Sequence, residues 1–142
     1  MKKQQVVNEP ILAYGFTESF DSNRLVQLVR EGVQYTIFSK LLKSISFSIQ
    51  EWSSFLHISE RTMQRYQKEN KTFDISSSEK IIQITILYEF GVSVFGNKEN
   101  FDTWLVSKNV ALGAKPIDFL DTVFGIEIIN NELIKIEHGV FA

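Results

Sequence analysis

The sequence predicts an all-α protein, a helical bundle built around a helix-turn-helix, and three observations carry that prediction. Apolar residues recur at helical spacing along most of the chain. Two segments open with the S-x-x-E signature of a capping box, Ser48 to Glu51 and Ser76 to Glu79, in which each side chain satisfies an otherwise orphaned backbone N–H. Between Ser48 and Lys71, two short helical patterns flank a tight turn at His57-Ile58.

Length and composition bound the rest. A chain of 142 residues holds one compact domain with a full core, or a small domain with an appendage. With 44% hydrophobic and 23% charged residues and a formal net charge of −2, the composition is that of an ordinary globular protein, not a disordered chain or a general nucleic-acid coat. Charge is uneven. Residues 96–142 carry seven acids against four bases, and this acidic end suits a protein partner better than DNA. The absence of cysteine removes disulfides, thiolate nucleophiles and Cys-based zinc sites, and makes a reducing cytoplasm the expected location. Gln4, Gln5, Asn8, Glu9 and Pro10 interrupt any signal-peptide core, and no apolar run reaches the ~18 residues a membrane span needs.

The stretch from Ser48 to Lys71 carries the clearest functional pattern. Phe47 is placed to staple the first helix, whose inner face is Trp52, Phe55 and Leu56. Ser59 caps the second, which turns Met63 and Tyr66 one way and Arg61, Arg65 and Lys68 another. The two helices of a helix-turn-helix cross closely, so the motif asks for a small residue four positions before the turn and apolar residues around it. Ser53, Leu56, Ile58, Met63 and Tyr66 meet these demands. His57 stands where Gly often supplies a positive φ, in a region histidine tolerates better than most residues. If the motif reads DNA, Ser59, Glu60, Arg61, Gln64 and Arg65 face base edges and nearby phosphates, with Lys68 and Lys71 on the backbone. Glu60 and Glu69 weaken the local field, so each cation counts for more. The plainer alternative is an antiparallel helix pair with a solvated basic face.

Taken in order, residues 1–20 are expected to form a partly ordered arm, with a short extended piece over Pro10–Phe16. A helix from Asp21 or Ser22 stops at Gly32, and Ile37, Phe38, Leu41, Leu42 and Ile45 mark a second, both packing behind the helix-turn-helix. Ser76 is expected to cap a helix that stops at Gly91 and is apolar almost all round, the pattern of a core helix or one shared with a second subunit; the smallness of the chain favours a homodimer. Asn97 caps the next, with Phe101, Trp104 and Leu105 inward. Pro116 suits the first position of another helix, carrying Phe119, Leu120, Val123 and Phe124 and closed by Gly125. A last amphipathic helix aligns Ile126, Ile129, Leu133 and Ile136 and ends at Gly139.

Catalytic constellations are missing. His57 and His138 have no metal-ligating partners at a known spacing, and there is no phosphate-cradling glycine loop, G-x-S-x-G elbow or nucleophile with an evident base. Asp118 and Asp121 fall at i, i+3, where a helix N-terminus and a solvated face explain them better than paired acid–base chemistry. Neither an enzyme nor a bound cofactor or metal is expected.

The C-terminal third carries a resemblance. WLVSKNVALGAKPIDFLDTVFG, from Trp104 to Gly125, followed by IEHGVFA, from Ile136 to Ala142, resembles the toxin-binding domain of the Xre/MbcA/ParS antitoxins. Trp104, Leu105, Asn109, Ala111, Leu112, Gly113, Pro116, Asp118, Leu120, Asp121, Thr122, Gly125, Glu137, His138, Gly139 and Val140 stand at matching places. Lys108 for Pro, Ala114 for the second Gly and Phe119 for Leu are the departures. The resemblance implies an all-α antitoxin of a type II toxin–antitoxin pair, an Xre-like helix-turn-helix followed by a small helical toxin-binding domain. It further implies a RES-domain toxin that consumes NAD as partner, the antitoxin's C-terminal segment covering the toxin's active site, and binding to operator DNA. Asn109, Leu112, Gly113, Pro116, Asp118, Asp121, Glu137, His138, Gly139, Val140 and Phe141 are the implied toxin-binding residues. The expected organisation is therefore an arm over 1–20, an Xre-like helix-turn-helix region over 21–74, and a dimerisation and toxin-binding region over 75–142. Two other functions fit the same residues: a stand-alone transcriptional regulator, and an adaptor whose helix-turn-helix no longer binds DNA.

Overall fold

Capping chemistry decides where most of the described helices of this chain begin. The computed structural model describes residues 22–139; the expected arm over 1–20, Asp21, Val140, Phe141 and Ala142 lie outside the described residues. Seven α-helices follow one another there: α1 (Ser22–Glu31), α2 (Tyr35–Ser44), α3 (Ile49–Leu56), α4 (Glu60–Glu69), α5 (Ile75–Phe95), α6 (Lys98–Val106) and α7 (Val123–Glu137), with a single 3-10 turn, Pro116–Phe119, before the last. Among the described residues there are two isolated bridges, Gln34 with Thr72 and Asn109 with Ala114, and no strand. The chain is all-α, as its sequence predicts. It divides into two units, the first ending at Thr85 and the second starting at Ile86, within α5.

In the first unit the expected capping box at Ser48 is formed. The Ser48 hydroxyl accepts from the Glu51 N–H at 3.0 Å and the Glu51 carboxylate accepts from the Ser48 N–H at 2.9 Å. Phe47 closes the staple, its ring 5.8 Å from Trp52 and 5.1 Å from Phe55. Around this start the core is aromatic, with Phe38 edge-on to Trp52 at 5.2 Å and to Phe73 at 5.1 Å. Trp52, Phe38 and Phe73 are buried, and hiding each stabilises the unit by about 4 kcal/mol as an upper bound. Tyr35 joins them, and burial pushes its phenol above the ordinary value of 10.0.

Two expected helix boundaries are corrected. Asp74, not Ser76, caps α5: its carboxylate accepts from the Ser77 N–H at 2.8 Å and the helix starts at Ile75. A charged acceptor at a helix N-terminus is the stronger cap. Gly91 does not stop α5 either. The helix runs on to Phe95, and Gly91 is the spot where the Phe101 ring lies against the backbone, so that a Cβ there would overlap the ring. The circumference of α5 is largely filled within the chain, since Ile81, Ile82, Ile84, Leu87 and Tyr88 are all buried. Its apolar wrap therefore does not require a second subunit.

In the second unit, Asn97 caps α6 as expected, accepting from the Asn100 N–H at 2.8 Å. Phe101 is buried against Tyr88, whose hydroxyl donates to Asp102 at 2.7 Å. The helix expected from Pro116 to Gly125 does not form. Pro116 opens one 3-10 turn, and Thr122 then caps a new helix, its hydroxyl accepting from the Gly125 N–H at 2.9 Å. Gly125 is an early residue of α7 and not a terminator. The Phe119 carbonyl sits where its Cβ would be, so the step from the 3-10 turn into α7 needs a residue without one.

Candidate DNA-binding and toxin-binding surfaces

Helix α4 presents the predicted reading face. Met63 is its one buried residue, whereas Ser59, Glu60, Arg61, Gln64, Arg65 and Lys68 are all exposed. The turn before it has the left-handed residue that the motif requires, His57 at φ 57°, and its N–H bonds back to the Ser54 carbonyl at 3.3 Å. Ser53, the small residue of the pattern, is buried. Ser59 is committed to the cap: its hydroxyl accepts from the Thr62 N–H at 3.1 Å and donates to the Thr62 hydroxyl at 3.0 Å. It marks the end of that face, along which Glu60, Arg61, Gln64, Arg65 and Lys68 are the long exposed side chains of the predicted set.

Two devices hold that face, and neither is evident from the spacing. Tyr66 lies half-buried with its ring 5.1 Å from Phe73, and both the Arg65 guanidinium and the Lys71 ammonium stand 5.7 Å from its centroid. Cation–π contacts of this length are worth about 0.5–1 kcal/mol at exposed sites, enough to bias where the two cations sit. The second device is Asn70, which ends α4 at φ 49° and whose amide oxygen accepts from the Thr36 N–H at 3.0 Å and the Thr36 hydroxyl at 2.6 Å. The Tyr35 N–H donates to the Lys71 carbonyl at 2.9 Å and the Phe73 N–H to the Val33 carbonyl at 2.8 Å. The C-terminus of α4 is thus tied to the N-terminus of α2 at several points. Asn is one of the few non-glycine residues at ease in the left-handed region, which is the signal that marks it.

The residues of the C-terminal resemblance divide into shapers and presenters. Asn109 closes the loop after α6: its side chain accepts from the Leu112 N–H at 3.1 Å, its carbonyl accepts from the Gly113 N–H at 2.9 Å, and its N–H donates to the Ala114 carbonyl at 3.1 Å. Gly113 supplies φ +78° there, Pro116 is buried, and Leu112 is half-buried. These four form the loop. Asp118, Glu137, His138 and Gly139 are exposed and Asp121 half-buried, with Asp118 in the 3-10 turn and the others near or beyond the ends of α7. Val140 and Phe141 lie outside the described residues. Among the described residues, no three His, Asp or Glu side chains are grouped as metal ligands, and no helix is long and apolar enough to cross a membrane.

Residues 24–85 match the antitoxin Xre-like helix-turn-helix domain, and residues 91–139 match the antitoxin Xre/MbcA/ParS C-terminal toxin-binding domain. The chain belongs to the Xre/MbcA/ParS family of antitoxins. No curated protein matches it significantly. The two matched segments correspond to the two units, so the antitoxin carries a helix-turn-helix in the first and a toxin-binding domain in the second.

One feature of the toxin-binding domain lies outside the expected residues. Val110 at the tip of the loop is 93% exposed and Phe124 in α7 is 79% exposed. The sequence pattern counted Phe124 among the apolar residues of a helix begun by Pro116, and that helix does not form. With Thr122 as the cap, the register of α7 turns Phe124 outward.

Proposed function

We propose that this antitoxin neutralises a RES-domain toxin that consumes NAD, by laying its C-terminal segment from Glu137 onward over the toxin's active site, and that it represses its own operon through α4. The observation that carries this reading is the union, in one chain, of an outward Arg61-Gln64-Arg65 face on a helix-turn-helix with a domain matched as toxin-binding. Arginine pairs in two-pronged fashion with guanine and Gln64 with adenine, while Lys68 and Lys71 hold the phosphates. A homodimer sets two copies of α4 for successive major grooves and reads a palindromic operator from the cytoplasm. Asp118, Asp121 and His138 provide polar contacts to the toxin, and Val140 and Phe141 the apolar end of the segment. NAD chemistry belongs to the partner, and the antitoxin itself needs no cofactor.

Co-expression with the neighbouring gene tests this reading. The neighbour's product alone is expected to deplete cellular NAD, full-length antitoxin to restore it, and antitoxin lacking residues from Glu137 onward to fail. Unchanged NAD with the neighbour's product alone would remove the RES assignment.

A further inference from the structure

The side of α7 that the core leaves unused is not wholly polar. Gly125, Ile126, Ile129 and Leu133 are its buried residues. Helical geometry then sets Val123, Phe124, Ile128 and Ile134 on the opposite side, with Glu127, Asn131 and Lys135 between them. Phe124 is 79%, Val123 53% and Ile128 44% exposed. Phe124 and Ile128 are i, i+4 neighbours and form a ridge. A single exposed aliphatic residue needs no explanation, but a phenylalanine flanked by valine and isoleucine on one helix face is a patch of the kind that marks an interaction site. The fold does not call for it, because α7 already buries its other side.

We propose that Phe124 and Ile128, flanked by Val123, are the anchor with which the antitoxin grips its toxin, seated in an apolar groove of the toxin, and that this grip is separable from the inhibiting segment beyond Glu137. Three observations choose this occupant. The ridge lies inside the segment matched as toxin-binding. The same helix runs directly into the segment proposed to cover the active site, so one partner meets both. Exposed Glu127, Asn131 and Lys135 interleave with the apolar residues, the mixed composition of an interface between unlike proteins rather than the more continuously apolar face of an obligate pair. The inference rests on the toxin-neutralising reading but is indifferent to whether the toxin acts on NAD.

The test is calorimetric binding of the neighbouring gene's product to the full-length antitoxin, to Phe124→Ala, Phe124→Asp and Ile128→Asp, and to a truncation that removes residues from Glu137 onward. Because these side chains are exposed, circular dichroism and the melting curve of each point variant are expected to match the parent. Phe124→Ala is expected to weaken binding roughly 30- to 100-fold, and the two aspartates more. The truncation is expected to stay within about tenfold of full length in affinity while no longer suppressing the toxin. Folded Phe124→Asp and Ile128→Asp that bind like the parent would overturn the proposal and leave the antitoxin reading standing. Variants that lose self-association in sedimentation but keep toxin affinity would reassign the ridge to a homodimer and overturn it likewise. Full-length protein that binds nothing would remove the antitoxin reading and this inference together.

Discussion

The two units of this antitoxin treat their surfaces in opposite ways. In the helix-turn-helix unit the described large apolar side chains are nearly all covered, Val26 and Ile75 being the exposed ones, and what faces outward from α4 is charge. In the toxin-binding unit Ile86, Val106, Val110, Val123, Phe124, Ile128 and Ile134 remain exposed, and residues 96–142 carry more acids than bases. A surface that meets a polyanion gains from cations and has no use for exposed hydrocarbon, whereas a surface that meets a protein gains most from apolar area released from water. The contrast teaches that one short chain can address two kinds of partner by dividing two chemistries between its halves.

Substitutions can break this comparison or sharpen it. The largest effect is expected of Trp52→Ala, which empties the centre of the aromatic core and should cost about 3–5 kcal/mol, read as loss of the first unit's melting transition and of DNA binding. Gly125→Ala comes next: its Cβ meets the Phe119 carbonyl, the backbone must shift, and about 2–3 kcal/mol of stability should go from the second unit while DNA binding survives. If Gly125→Ala removes DNA binding as well, the halves are not separate in function. Arg65→Ala is expected to cost about 1–3 kcal/mol in DNA affinity, to lower stability by no more than the ~0.5–1 kcal/mol of its contact with Tyr66, and to leave toxin binding unchanged in calorimetry. The smallest effect is expected of Ser59→Ala, which loses the α4 cap and about 1 kcal/mol in a denaturant titration.

Most of the fold could be read from local signals because those signals are local physics. The capping box at Ser48, the left-handed His57, the cap at Ser59 and the inward Met63 each depend on residues three or four positions away, and each is found where the spacing puts it. What could not be read turns on competition between neighbouring signals or on a partner further along the chain. Asp74 and Ser76 both offer a cap for α5, and the charged side chain wins. Gly91 carries the mark of a helix stop, but its missing side chain accommodates the ring of Phe101, ten residues further on. The register of α7 turned on whether Pro116 or Thr122 starts the helix. Choosing the proline hid the outward side of Phe124, and with it the ridge. In the same way the resemblance picks out Asn109, Gly113 and Pro116 without revealing that they shape a loop while Asp118, Glu137 and His138 are exposed.

The central claim, two interfaces of opposite chemistry in one chain, is tested most directly by salt. Binding of the full-length antitoxin is measured against DNA from upstream of its own gene and against the neighbouring gene's product, from about 50 to 200 mM salt. Four cations on α4 and its C-terminal end, Arg61, Arg65, Lys68 and Lys71, predict that log affinity for DNA falls against log salt with a slope of about −3 or steeper, while toxin affinity changes by less than about threefold. Slopes of equal steepness for the two partners would contradict the account, because the toxin surface would then be electrostatic as well.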